Sequence, residues 1–99
     1  MGKLVRDRIP AVIRRSGHEP VVRVLGAGEY RGALVDKLFE EAAEVREAVP
    51  AKVIEEIADV YEVLRALAEA EGHDWTTVEK AAAAKRAERG AFRDRLYLE

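Results

Sequence analysis

Two helix-period patterns separated by only a few residues constrain this chain more than anything else in it. From about Tyr30 to Ala48, Leu34, Leu38, Glu41, Val45 and Ala48 recur at spacings of three and four. Pro50 interrupts the run, since proline lacks the amide a helix interior needs. From about Lys52 to Glu71, Val53, Ile57, Val60, Leu64 and Leu67 form a second stripe, and Gly72 stops it. Helices joined so tightly must pack antiparallel. The end of the first then lies against the start of the second, which brings Glu40, Glu41 and Glu44 toward Glu55, Glu56 and Asp59.

The flanks read as shorter elements. Ile9 to Arg15 is a short helix with Pro10 in its first turn and Gly17 just beyond its end. Val21 to Leu25 is β-branched and extended, or a strand, and Gly26 and Gly28 break the chain after it. A third long helix begins with Thr76 or Thr77 as its cap, runs through Ala81–Ala84 to about Arg89, and closes at Gly90. The tail from Phe92 to Leu98 is irregular, or a short strand pairing with Val21–Leu25. The expected class is all-α: a bundle of two long antiparallel helices plus a third, completed as a four-helix bundle by dimerisation. With 99 residues there is room for one domain and one modest core, and two long amphipathic helices exceed what that core can cover.

Composition removes several chemistries. There is no cysteine, so disulfide scaffolds, zinc fingers and cysteine nucleophiles are excluded. No apolar run approaches the ~20 residues of a membrane span. Charges fill the opening Met1-Gly2-Lys3-Leu4-Val5-Arg6-Asp7-Arg8 where a signal peptide carries its apolar stretch, so the expected setting is cytoplasmic. The net charge of −2 conceals a segregation: residues 1–23 carry +4, residues 29–71 carry −7 and residues 72–99 carry +1. That balance does not suggest a nucleic-acid binder. It suits an acidic metal site flanked by phosphate-binding cations.

Glu41 is the anomaly, because it falls inside the apolar stripe of its helix. Glu44 lies one turn on, and Glu56 and Asp59 are likewise three apart, flanking the second stripe. Residues three apart on a helix are neighbours, so each pair can aim two carboxylates at one point. Converging acids must either face water or surround hard cations. The plain alternative is a solvated face supported by pairs such as Lys37–Glu41 and Glu62–Arg65, and it suits Glu47, Glu55, Glu62, Glu69 and Glu71. For Glu41, Glu44, Glu56 and Asp59 together, metal binding fits better. Oxygen-only ligands select Mg²⁺ or Mn²⁺.

The spacing Glu40-Glu41-Ala42-Ala43-Glu44, with Glu56-Ile57-Ala58-Asp59 following, resembles the EExxE…ExxD signature of the all-α nucleoside triphosphate pyrophosphohydrolases. This superfamily includes MazG-like proteins, phosphoribosyl-ATP pyrophosphohydrolases and dimeric dUTPases. The opening Lys3-Leu4-Val5-Arg6-Asp7-Arg8-Ile9-Pro10 and the closing Lys85-Arg86-x-x-Arg89-Gly90-x-Phe92 extend the resemblance to a short MazG-like or phosphoribosyl-ATP pyrophosphohydrolase-like subgroup across nearly the whole chain. The resemblance implies a helical dimer or tetramer that cleaves a nucleotide between its α- and β-phosphates. It implies Glu41, Glu44, Glu56 and Asp59 as Mg²⁺ ligands, with Glu40 holding a further metal or helping to activate water. Lys3, Arg6, Arg8, Lys85, Arg86 and Arg89 are the candidate phosphate-binding cations.

The remaining chemistry-bearing residues carry less. His18 and His73 sit beside turns and are expected to be exposed. Ser16 has no base expected near it. Trp75 is expected to anchor packing, and Tyr30 and Tyr61 are candidates to stack on a base. Two other readings compete: a non-catalytic helical dimerisation module, and a small DNA-binding or antitoxin-like regulator using Arg6, Arg8, Arg14 and Arg15. The acidic middle and the missing helix-turn-helix pattern argue against the regulator.

Overall fold

The computed structural model describes residues 2–99 and is helical throughout its ordered elements. Helix α1 spans Ile9–Arg15, α2 Ala27–Glu47, α3 Val53–Ala70 and α4 Trp75–Arg89, and a 3₁₀ turn over Pro50–Lys52 links α2 to α3. Among the described residues there is no strand. Val21–Leu25 is irregular, and the tail carries Leu96, Tyr97 and Leu98 almost fully exposed. The expected pairing of these two segments does not form, in keeping with the marginal stability of an isolated two-stranded ribbon.

Helix α2 begins three residues earlier than its apolar period suggests. Gly26 is extended and its carbonyl accepts the Tyr30 amide at 2.8 Å, so the first turn closes in spite of Gly28. Glu29 in that turn complements the positive helix end and pairs with Arg23 at 3.1 Å. Helix α3 stops in a reciprocal cap. The Gly72 amide reaches the Glu69 carbonyl and the His73 amide reaches the Ala68 carbonyl, both at 2.9 Å. This cap needs a left-handed residue, and Gly72 supplies φ +81. Helix α4 starts at Trp75 with Asp74 as its extended cap, rather than behind Thr76 or Thr77. The Thr77 amide bonds the Asp74 carbonyl at 3.0 Å, and Asp74 places a negative charge at the helix start.

Helices α2 and α3 form the antiparallel hairpin on which everything else rests. Arg31 near the start of α2 donates to Glu71 just past the end of α3, which fixes their opposite directions. Leu34 at 2% exposure and Val63 at 8% are the buried apolar residues among those described, and Glu41 at 9% joins them. The inward line on α3 runs through Glu56, Asp59, Val60, Val63 and Leu67. The stripe read from sequence is thereby corrected: Val63 replaces Ile57 and Leu64 as the inward residue, and Glu56 and Asp59 lie on the packed face instead of flanking it. Ile54, Ile57, Tyr61 and Leu64 face outward, all exposed.

Helix α4 is held by little. Trp75 and Val78 are half-buried and every residue from Glu79 onward is exposed. Trp75 meets Tyr61 edge to face with ring centroids 5.3 Å apart, and the Arg65 guanidinium lies 5.7 Å from the Trp75 ring and 5.8 Å from the Tyr61 ring. The expected anchoring role of Trp75 is therefore seen, and Tyr61 is committed to it. The whole chain exposes 8959 Å², against roughly 5,600 Å² for a folded monomer of this mass. Its radius of gyration, 16.9 Å, likewise exceeds the about 13 Å of a compact 100-residue domain.

Candidate metal centre

The acids gather where the end of α2 meets the start of α3. Glu41, Glu56 and Asp59 each offer a carboxylate oxygen within 4.8 Å of the others. Their convergence follows from the period: Glu41 lies seven residues after Leu34, and Glu56 seven before Val63. Each acid thus stands about two turns along the helix from a buried apolar residue, nearly eclipsing it. Glu44 is outside this trio and exposed, though its charge reaches Glu56. Glu40 is half-buried at its edge.

Two cations already lie against the acids. Lys37, one turn before Glu41 on α2, places Nζ 3.3 Å from Glu41 and 3.4 Å from Glu40. The Lys37–Glu41 pair is thus present, but it is not a solvated surface pair, since the two side chains are only 16% and 11% exposed. The second cation comes from the irregular segment ahead of α1. Arg6 Nη2 donates to Asp59 Oδ1 at 2.7 Å, across 53 residues of sequence. Lys3 Nζ approaches Glu40 at 3.9 Å. No buried side-chain polar atom among the described residues lacks a hydrogen-bond partner.

Glu56 is the member of the trio with no ion pair among the described residues. Partial burial pushes its carboxyl above the usual glutamate range, and the neighbouring charges of Asp59, Glu44, Glu41 and Glu55 push it further. A cation among these oxygens would relieve that strain of charge. The donor set is hard oxygen throughout, which fits Mg²⁺ or Mn²⁺ and not a thiophilic ion.

Beside the trio lies a cavity of about 280 Å³, bounded by Val5 and Arg6 of the leading segment, Tyr30 and Leu34 of α2, and Asp59 and Val63 of α3. Tyr30 is therefore near the acids, and Tyr61 is not part of that wall. Of the six candidate phosphate cations, Lys3 and Arg6 reach the acids, whereas Arg8, Lys85, Arg86 and Arg89 are exposed and form no ion pair among the described residues. His18 and His73 are exposed, as expected. The reading of Ser16 as remote from a base is corrected: its Oγ lies 3.1 Å from His18 Nδ1. That hydroxyl also donates to the Ile13 carbonyl at 2.7 Å, which makes it part of the α1 cap. Lys37 is the site residue that sequence reasoning set aside. Its i,i+4 spacing from a carboxylate inside an apolar stripe was the available signal.

A 44-residue stretch of the chain is 59% identical to a protein of Mycolicibacterium smegmatis (strain ATCC 700084 / mc(2)155) described as uncharacterized. The stretch covers 44% of this chain and 45% of that protein, so the likeness spans less than half the length of either. No family model and no solved structure matches the chain.

Proposed function

We propose that the chain is a Mg²⁺-dependent nucleotide pyrophosphohydrolase, cleaving between the α- and β-phosphates of a nucleoside triphosphate or a phosphoribosyl-ATP-like substrate. The observation that carries this reading is the trio Glu41, Glu56 and Asp59, whose oxygens converge from two helices with one carboxylate inside the packed face. The EExxE…ExxD spacing and the cations at Lys3 and Arg6 support it. Glu41, Glu56 and Asp59 would hold the ion, with Glu44 one turn away to complete the set. A bound Mg²⁺ supplies Lewis-acid polarisation of phosphoryl oxygens and lowers the pKa of water. Glu40 accepts a proton from the attacking water. Lys3 and Arg6 draw the polyphosphate toward an otherwise repulsive acidic surface. Arg8 and the α4 cations Lys85, Arg86 and Arg89 lie apart from the acids within one chain, so they take no part in this scheme there.

Dimerisation belongs to the same proposal. Ile54, Ile57, Tyr61 and Leu64 give α3 an exposed apolar face, and the single chain exposes more surface than a compact monomer of its mass. The same face favours the second reading, a non-catalytic dimerisation module. Calorimetry with Mg²⁺ or Mn²⁺ separates them, because the module has no use for the ion.

Pyrophosphate release from a panel of canonical and modified triphosphates tests the enzyme directly. Glu41→Gln is expected to lower turnover by on the order of 10²-fold, with helicity by circular dichroism retained. Undiminished turnover in that variant would remove Glu41 from the reaction.

A further inference from the structure

The two cations on the acid trio differ in a way that bears on how an ion could enter. Lys37 is fixed: it sits on the same helix as Glu41, its side chain is 16% exposed, and its departure would leave a buried carboxylate bare. Arg6 is loosely held. It belongs to a segment without secondary structure, its side chain is 56% exposed, and its partner Asp59 is 39% exposed. An exposed pair of this kind contributes only marginally to stability. The carboxylate it occupies belongs to the trio, so a dication among those oxygens and the Arg6 guanidinium compete for one charge.

We infer that Arg6 is the exchangeable counter-ion of the metal centre: it covers Asp59 in the metal-free protein, leaves when a divalent cation enters, and then carries its charge to the incoming phosphate chain. This inference rests on the proposed metal reading and adds to it a coupling between ion and substrate. Arg6 also walls the adjacent cavity, together with Val5, Tyr30 and Leu34, while Lys3 on Glu40 and the half-buried Leu4 keep the segment in place. The ion therefore moves one lining side chain of the cavity at the same moment as it frees a guanidinium for the phosphates. No charge is left bare in the exchange, because Asp59 passes from the single charge of Arg6 to the double charge of the ion, and Arg6 passes from a carboxylate to the phosphate chain.

The test uses the full chain and three forms of it: wild type, Arg6→Met and Arg6→Lys. Titration calorimetry with Mg²⁺ alone should show Arg6→Met binding the ion about two- to fivefold more tightly than wild type, the counterpart of losing a weak competing pair. In excess Mg²⁺, inorganic tripolyphosphate should bind Arg6→Met about tenfold more weakly, and Arg6→Lys should restore most of that loss. Opposite signs for ion and phosphate are the signature, since a merely structural defect would weaken both. In wild type, the NMR signals of the Arg6 guanidinium should lose their hindered rotation as Mg²⁺ is added. Mg²⁺ affinity that is unchanged or weakened in Arg6→Met overturns the exchange while leaving the metal reading standing. Failure of every form to bind Mg²⁺ overturns both.

Discussion

Helices α3 and α4 are of similar length, 18 and 15 residues, and they live under different rules. Helix α3 is pressed against α2 and carries acids on its packed side. Helix α4 is richer in alanine and touches the rest through its first turn, leaving Glu79–Arg89 in solvent. Intrinsic propensity favours α4, yet a lone helix of this length is marginal in water. The comparison teaches that packing and propensity have been divided between the two. The chain buries charge where its packing is strongest and leaves its most alanine-rich helix in solvent.

The sharpest way to break that contrast is at the hairpin. Leu34→Ala removes the most buried side chain and should cost about 2–5 kcal/mol in urea denaturation, enough to unfold much of the population of a small domain. A smaller cost would mean that the α2–α3 contact is less central than its burial indicates. Next comes Trp75→Ala, which cuts the attachment of α4 to Tyr61 and Arg65. Far-UV circular dichroism should lose up to the share contributed by the 15 residues of α4, with the hairpin intact. Full helicity would show that α4 stands by propensity alone.

The outward side of α3 sharpens the comparison further. Ile57→Glu with Leu64→Glu should shift sedimentation equilibrium toward monomer and change single-chain stability by no more than about 0.5 kcal/mol per site, because both residues are exposed. An unchanged mass would exclude that face as the subunit contact. The smallest effect is expected at Glu56. Its carboxyl titrates above the ordinary glutamate value, so it favours folding when protonated, fully so below about pH 4.3, and loses that contribution as pH rises through the raised value. In the presence of a chelator, Glu56→Gln should be more stable than wild type at pH 7, and the two should converge toward pH 4. Denaturation midpoints followed across pH check it.

Much of this arrangement can be read from residue spacing. Leu34 and Glu41, seven apart, announce a carboxylate on an apolar face, and Pro50 announces the turn that doubles the chain back. The inward side of α3 was less legible. Apolar residues occupy both its faces, Val60, Val63 and Leu67 inward and Ile54, Ile57, Tyr61 and Leu64 outward, so the period of 3.6 finds apolar residues whichever way the helix is turned. Only contact with α2 selects Val63 over Ile57 and Leu64. The Arg6–Asp59 pair was beyond reach for another reason, since a contact across 53 residues leaves no trace in local spacing. Arg6 could be nominated as a cation near phosphates, but its partner could not be chosen among twelve central acids.

The 3₁₀ turn at Pro50–Lys52 works as a gear setting. One residue more or fewer there would rotate α3 by about 100°, taking Glu56 and Asp59 away from Glu41 and carrying outward-facing oily side chains into their place. Length variation should therefore be tolerated after Gly90, where no residue reaches the acids, and rejected at this joint.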